Sequence, residues 1–341
     1  MRHPKQTYSR YPRVFVLGGS DSVSGLVKDP SQNIPISGNN DAWRLIPKDL
    51  EWSRCHVSPS YFRQGTRINF SLCSVILNLI SDADQNPRTL RIAERVTADH
   101  RARLINDPRN IRHTGRDEIA RKLQNVSGLR TPKVLRLRNP TLARLNKRIA
   151  AAGFAFPAIV RRTGTQTGEI LGLFETPEDL TEHFEEMTEE YYFTEFVDCR
   201  CPDGLYRKMR LFNIGGDIIL RHVLISDKWK INSSARNDLM KDRQDLRDEE
   251  CRYFGADIPP ALARAREIMK AVAKHINLEY FGLDLGLHGD GEFVLFEANA
   301  TMNFTSRSTD PCFDYTLTSI GQAKNALGRL LLERGNADSA G

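Results

Sequence analysis

Residues 280 to 304 read YFGLDLGLHGDGEFVLFEANATMNF. Two apolar runs flank an Asp-Gly pair, and each run carries one carboxylate in its middle, Asp284 and Glu297. Asp-Gly between alternating hydrophobics predicts a hairpin, because a two-residue type I′ turn needs positive φ at both positions. With Asp290 and Gly291 at the tip, Gly289 faces Glu292 and Asp284 falls opposite Glu297. Strand side chains alternate between faces, so Asp284, Glu297 and Asn299 share one face. Leu283, Leu285, Leu287, Val294, Phe296 and Ala298 are expected on the other, which reads as core.

Two like charges facing each other on a sheet are destabilising, by up to about 1 kcal/mol when exposed. Near an apolar interior the cost grows unless something neutralises them. A shared proton would do so, and so would a cation; on a solvated face both would simply point at water. Three hard oxygen donors on one rigid face suit Mg²⁺, which usually takes only one or two carboxylates and completes its shell with water and phosphate oxygens.

The 341 residues allow two or three domains and a large core. With 40% hydrophobic and 27% charged residues, the composition is that of a globular protein. No apolar run approaches the roughly 18 residues of a membrane span. VFVLGG, after the basic start MRHPKQTYSRYPR, is too short for a signal-peptide core. A cytoplasmic location is the expectation. The cysteines, Cys55, Cys73, Cys199, Cys201, Cys251 and Cys312, form no CxxC pair and no zinc-type spacing, so buried reduced thiols are expected. The net charge of +6 is spread out rather than run together. The Arg-rich stretch from Arg88 to Arg148 is interleaved with apolar residues at helical spacing, as on solvated helix faces. No zinc finger, RRM-type aromatic motif or basic heptad region is present, so nucleic acid is not an expected partner. A cleft attracting small polyanions explains the excess equally well.

Along the chain, VFVLGG (14–19) and CSVILNLI (73–80) read as buried strands. TLRIAERVTADHRA reads as a helix, and 103–106 as a third strand, which together predict a small parallel-sheet domain. Residues 20–70 read as irregular. GRDEIARKLQNV is an amphipathic helix. PTLARLNKRIAAAG has Pro at its start and Gly at its end, as a helix requires. Then come strand PAIV, surface helix TPEDLTEHFEEM, strand YYFTEFVD and a hairpin over 204–226 about Gly215-Gly216. A long helix follows Pro259, then the hairpin quoted above, then a helix over 315–335.

Several stretches carry candidate chemistry. TGTQTG, at 163–168, brings backbone N–H groups and Thr hydroxyls near any anion, although its composition also reads as a plain hairpin turn. Arg161 stands just before it and would complement phosphates. Glu195 sits between apolar neighbours in TEFVD, either as a solvated strand end or as an acceptor for a base amine. Arg210 heads an apolar strand near Arg207 and Lys208, where a guanidinium suits a transferring phosphoryl group. RHVLISDKW mixes His222, Ser226, Asp227 and Lys228 with apolar residues and suggests a pocket wall. No Ser-His-Asp or Cys-His arrangement stands out.

In order, IVRRTGTQTGEI, YYFTEFVD, RKMRLFNIGG and GLDLGL…FVLFEANATMN resemble the ATP-grasp superfamily, close in motif style to glutathione synthetase and RimK-type carboxylate–amine ligases. The resemblance spans about 73 to 305. It implies an α/β (α+β) fold with a small N-terminal parallel-sheet domain over 1–112, a central lobe over 113–194 and a C-terminal lobe over 195–335, the two lobes clasping ATP. It implies that Arg161, Gly164, Thr165, Gln166 and Gly168 hold phosphates, with Arg116 as a further contact. Glu195, Phe196 and Val197 would take adenine and Asp198 ribose. Arg210 would be catalytic, and Asp284, Glu297 and Asn299 would bind the metal. The cofactors implied are ATP and two Mg²⁺ ions, or Mn²⁺. Two positions depart from the pattern: arginine replaces the family's lysine at Arg116 and at Arg161. The implied reaction is ADP-forming peptide-type ligation through an acylphosphate, on an amino acid, peptide or related small substrate. No membrane partner is expected, and homo-oligomerisation is left open. A kinase-like phosphotransferase or a nucleotide-binding regulator without turnover are the alternatives.

Overall fold

The computed structural model describes residues 13–22, 38–165 and 169–336. Its first sheet contains β1 (Val14–Gly19), β2 (Trp52–Val57), β3 (Val75–Asn78) and β4 (Leu104–Ile105), parallel in the order β2-β1-β3-β4. The unbroken apolar runs of β1 and β3 suit strands covered on both faces, and both are fully buried. Helix α1 (Pro87–Val96) has Pro in its first turn, and Asp21 accepts from Arg88 N and Thr89 N at that end. Two expectations are corrected here. Residues 20–70 are not all irregular, since β2 lies among them; its polar sequence WSRCHV runs from exposed to half-buried before Val57 and shows no apolar period. The helix expected over 89–102 ends at Val96, and Ala98–Arg103 is a 3₁₀ segment broken at His100.

Helix α2 (Pro108–Ile111) and helix α3 (Arg116–Leu123) lead to the short β5 (Leu129–Arg130). The central sheet follows: β6 (Val134–Arg138), β7 (Ala158–Arg162), β8 (Gly172–Phe174) and β9 (Glu190–Glu195), antiparallel in the order β6-β9-β7-β8. Helix α4 (Leu142–Ala152) is capped by the Thr141 hydroxyl and stops at Gly153, whose φ is +55°. The helix expected at TPEDLTEHFEEM is a 3₁₀ turn, Glu178–His183. Asp84, beyond β3, accepts from Tyr192 Oη at 2.8 Å and pairs with Arg136 at 2.9 Å, joining the first sheet to the central one.

The largest sheet takes β10 (Tyr206–Ile214), β11 (Asp217–Ser226), β12 (Tyr280–Leu287) and β13 (Phe293–Asn299), with β5 added parallel to β13, in the order β11-β10-β12-β13-β5. Helices α5 (Ala235–Asp238), α6 (Gln244–Arg252), α7 (Pro260–Ile276) and α8 (Thr318–Asn336) complete the chain. One face of this sheet, with Met209, Leu211, Leu283 and Leu285, packs on Leu262, Met269 and Val272 of α7. The opposite face is divided. Phe212, Ile214 and Tyr280 meet Leu327 and Leu331 of α8 and the first sheet at one end. Tyr206, Leu224 and Val294 form a separate cluster at the other. Charged residues occupy the ground between.

The hairpin of residues 280 to 299 pairs Asp284 with Glu297 as expected, by a different route. Its loop is one residue longer: Gly291 N donates to His288 O, and His288 N to Glu292 O. Gly291 supplies the positive φ, at +87°. Leu287 therefore opposes Phe293 and Leu285 opposes Leu295. A bulge at Phe296 then restores the Asp284–Glu297 pair. The faces of Val294 and Phe296 are consequently opposite to expectation. Phe293 and Leu295 enter the core with Ala298, whereas Val294 and Phe296 join the other side.

The cysteines have no disulfide partners, but only Cys199 is buried and Cys251 is exposed, so the expected burial does not hold. No helix among the described residues is long and apolar enough to cross a membrane.

Candidate active site

A row of polar side chains crosses the large sheet in register: His222 on β11, Arg210 on β10, Asp284 on β12 and Glu297 on β13. Arg210 holds Asp284 with both ends of its fork, Nε to Oδ1 at 2.6 Å and Nη2 to Oδ2 at 2.7 Å. Lys208 Nζ lies 3.3 Å from the same carboxylate. Arg116, in the first turn of α3, reaches Glu297 Oε1 with Nη2 and Phe296 O with Nη1. The facing carboxylates are thus neutralised by the chain's own cations. Burial would raise the Asp284 pKa, but Arg210 and Lys208 hold it well below the usual carboxylate range.

The trio expected to bind metal lies together on one face of the sheet. Both Asp284 oxygens, however, face Arg210. Asn299 Oδ1 accepts from Thr301 N and Met302 N, and its Nδ2 donates to Glu297 at 2.6 Å. Among the described residues no group of three or more His, Cys, Asp or Glu could hold a metal. The hard oxygen chemistry of the trio still suits a dication whose shell is completed by ligand oxygens. Arg210 stands mid-strand rather than at a strand head. The Asp284 contact was missed because it joins strands separated by a helix-bearing stretch of chain.

These residues line one cavity of about 620 Å³. Its apolar end is built by Ile159, Leu224, Val294, Phe296 and the segment Glu195-Phe196-Val197. Phe196 meets Trp229 edge-on at 5.5 Å. Glu195 borders the cavity, but its carboxylate accepts from Lys133 N at 3.0 Å and Ala155 N at 2.9 Å, which spends it on holding the segment in place. Asp198 is exposed, lies off the cavity lining and accepts from Arg200 N, so the structure does not bring it into the site.

Arg161 is buried between the apolar end and the charged row. Its Nη2 donates to Glu169 O, and its Nε meets no acceptor. Burial and the neighbouring Arg116 push its pKa down to about 10. Gly164, with φ +71°, and Thr165 border an adjoining recess together with Arg116, Arg161 and Glu297. Gln166 and Gly168 lie outside the described residues.

Arg207 turns away to Asp203 and Glu249. Of the residues singled out in RHVLISDKW, His222 lines the cavity, whereas Ser226, Asp227 and Lys228 do not. Sequence reasoning missed Arg221 and Arg236. Arg221 lies where the pairing of β10 with β11 slips: Leu211 opposes Leu220 and Arg210 opposes His222. This bulge turns Arg221 and His222 onto the cavity side together. No sequence signal marks it.

No family model matches the chain, and no curated protein matches it by sequence. Solved structures do match by shape. The VanG D-Ala:D-Ser ligase from Enterococcus faecalis superposes with a TM-score of 0.55 at 14% identity, covering 96% of this chain and 100% of its own. The carboxyaminoimidazole ribonucleotide synthase from Aspergillus clavatus, complexed with ATP, gives 0.53 at 14% identity over 91% of this chain and 76% of its own. A RiPP-associated ATP-grasp ligase from Chryseobacterium gregarium, in complex with ADP and a leader and core peptide, gives 0.52 at 12% identity over 95% and 97%.

Proposed function

We propose that this chain, which has the ATP-grasp fold, is an ATP-dependent carboxylate–amine ligase. The observation that supports the reading most is the union, in one cavity, of an apolar end at residues 195–197 with the buried Arg161 and the half-buried Arg116 and Arg210. Adenine would lie against Ile159, Phe196 and Val197, held by the backbone of the segment that Glu195 braces. The phosphates would extend toward Arg161 and Arg210, covered by the flap of Gly164, Thr165, Gln166 and Gly168. The division into 1–112, 113–194 and 195–335 belongs to the same proposal.

In the proposed reaction a substrate carboxylate oxygen attacks the γ-phosphorus. The bond to the β–γ bridging oxygen breaks, and ADP leaves with the electron pair. An amine then attacks the acyl carbon, phosphate departs and the amine nitrogen loses a proton. Arg210 would stabilise charge on the transferring group, a role that suits a forked guanidinium. Arg116 would hold Glu297 in place. Glu297, with Asp284 and Asn299 beside it, would hold Mg²⁺, which supplies charge neutralisation at the outer phosphates when bound. The substrate would be a small molecule or a peptide.

The test is ATP consumption over a panel of amino acids, short peptides and amines, with nucleotides resolved by chromatography and products by mass spectrometry. ADP and phosphate formed only when both a carboxylate and an amine are present is the expected result. AMP and pyrophosphate would overturn the acylphosphate route. ATP binding without turnover over the whole panel would overturn ligation.

A further inference from the structure

The cavity has a second cationic end, formed by Arg221 on β11 and Arg236 on α5, with Arg210 next to it. Arg221 is 3% exposed. Among the described residues its guanidinium donates to neutral acceptors, Phe304 O through Nε at 2.6 Å and Ser306 O through Nη2. Among the described residues no carboxylate lies within 4.0 Å of it. Burial and the nearby Arg236 push its pKa down to about 10. Arg236 is also buried and lies 4.4 Å over the Phe313 ring. Its Nη2 donates to Glu250 Oε1 at 2.6 Å, and its Nη1 meets no acceptor. Glu250 is fully buried and shared, accepting also from Val223 N at 3.0 Å and Tyr315 Oη at 2.8 Å.

Among the described residues, the two buried guanidinium groups thus have one carboxylate in contact, Glu250, which binds Arg236. A buried charge without a partner is costly, and an anionic ligand removes the cost by supplying one. The surroundings suit an oxyanion. Ser233, Asn232, Ser306, Ser308 and Thr309 line the cavity with hydroxyl and amide groups, and Arg307 adds a further cation. The loop is held in place from the first domain: Asp41 accepts from Phe304 N at 2.8 Å and from Thr305 N at 2.7 Å. The cavity lining as a whole carries eight Arg and Lys against three carboxylates. Arg161, at the nucleotide end, repeats the same pattern of a buried cation lacking a carboxylate. One cavity thus has two such places, and a nucleotide accounts for one of them.

We propose that the Arg221–Arg236 end binds a second oxyanion of the substrate, a carboxylate or phosphate separate from the carboxylate that reacts. The inference deepens the ligase reading and rests on it: the substrate class becomes an anionic one, such as a dicarboxylate or an acidic side chain.

The test is calorimetric binding to the full chain saturated with a nonhydrolysable ATP analogue and Mg²⁺, at fixed ionic strength. Dicarboxylates from malonate to adipate, and 3-phosphonopropionate, are compared with monocarboxylates of matching length. At least one dianion should bind tenfold or more tightly than its matching monoanion. Whether that dianion is a dicarboxylate or the phosphonate identifies the source of the oxyanion. The paired variant Arg236→Gln with Glu250→Gln, which removes one charge of each sign, should bring the two within about twofold while nucleotide affinity is kept. Equal binding of mono- and dianions to the wild type overturns the proposal, and so does a dianion advantage that survives in the paired variant. Should the variant not fold, the wild-type comparison decides alone. Failure of the nucleotide analogue to bind overturns the ligase reading itself, whereas analogue binding without dianion preference overturns only this site.

Discussion

Asp284 sits between two cations in the interior of the large sheet. It is nearly buried and held by Arg210 and Lys208. Removing its charge by Asp284→Asn strands two cations, and breaking a buried pair in this way costs about 3 kcal/mol. The pH dependence follows from the direction of its pKa, which is depressed in the folded state. Its stabilisation is complete above the unfolded value of about 4 and is lost as pH falls toward the folded one. Urea midpoints of wild type and Asp284→Asn should therefore differ at pH 7 and draw together steadily below about pH 4. A gap independent of pH would show that the pair contributes nothing of this kind. Arg210→Ala tests the other partner. Loss of a preorganised donor to a developing charge lowers turnover by about 10²–10³-fold. Nucleotide affinity should change much less, if the contact strengthens in the transition state. An equal fall in both would make Arg210 a binding residue.

At the scale of strands, the two bulges explain what the sequence hid. Alternation was sound on either side of each bulge, and the pairing of Asp284 with Glu297 was legible because carboxylates interrupt apolar runs. The reversal at Phe296 was not, since a bulge has no periodic signature. The same holds for Arg221 and His222. Arg210 against Asp284 was illegible for another reason: strand order beyond a hairpin is set by tertiary packing. The bulge at Phe296 also makes a demand on its neighbour. A Cβ placed on Gly286 would lie 2.4 Å from Phe296 Cζ. Gly286→Ala should therefore destabilise by about 1–3 kcal/mol, the usual cost of overpacking. Phe296→Ala in the same chain should relieve much of that loss. A double-mutant cycle with denaturant midpoints measures the coupling, and additive effects would mean that the ring simply swings away.

On the scale of the whole molecule, the fold class was readable from a parallel-sheet rhythm followed by strand-rich segments, and the solved ATP-grasp ligases share that fold. The way the sheets are tied together was not readable. Asp84 meets Arg136 and Tyr192 across the gap between the first sheet and the central one. Asp84→Ala removes that tie, while Arg136 keeps Glu190 at 2.6 Å. The variant should stay folded but show a larger radius of gyration in solution scattering than wild type, with the difference shrinking when ADP is added. Identical scattering curves would show that other contacts hold the sheets. The bulges, finally, have a consequence for descent. An extra residue absorbed within one strand adds a side chain to the cavity without turning any core residue outward. A lineage can then gain, lose or exchange cavity residues singly while inheriting an unaltered scaffold.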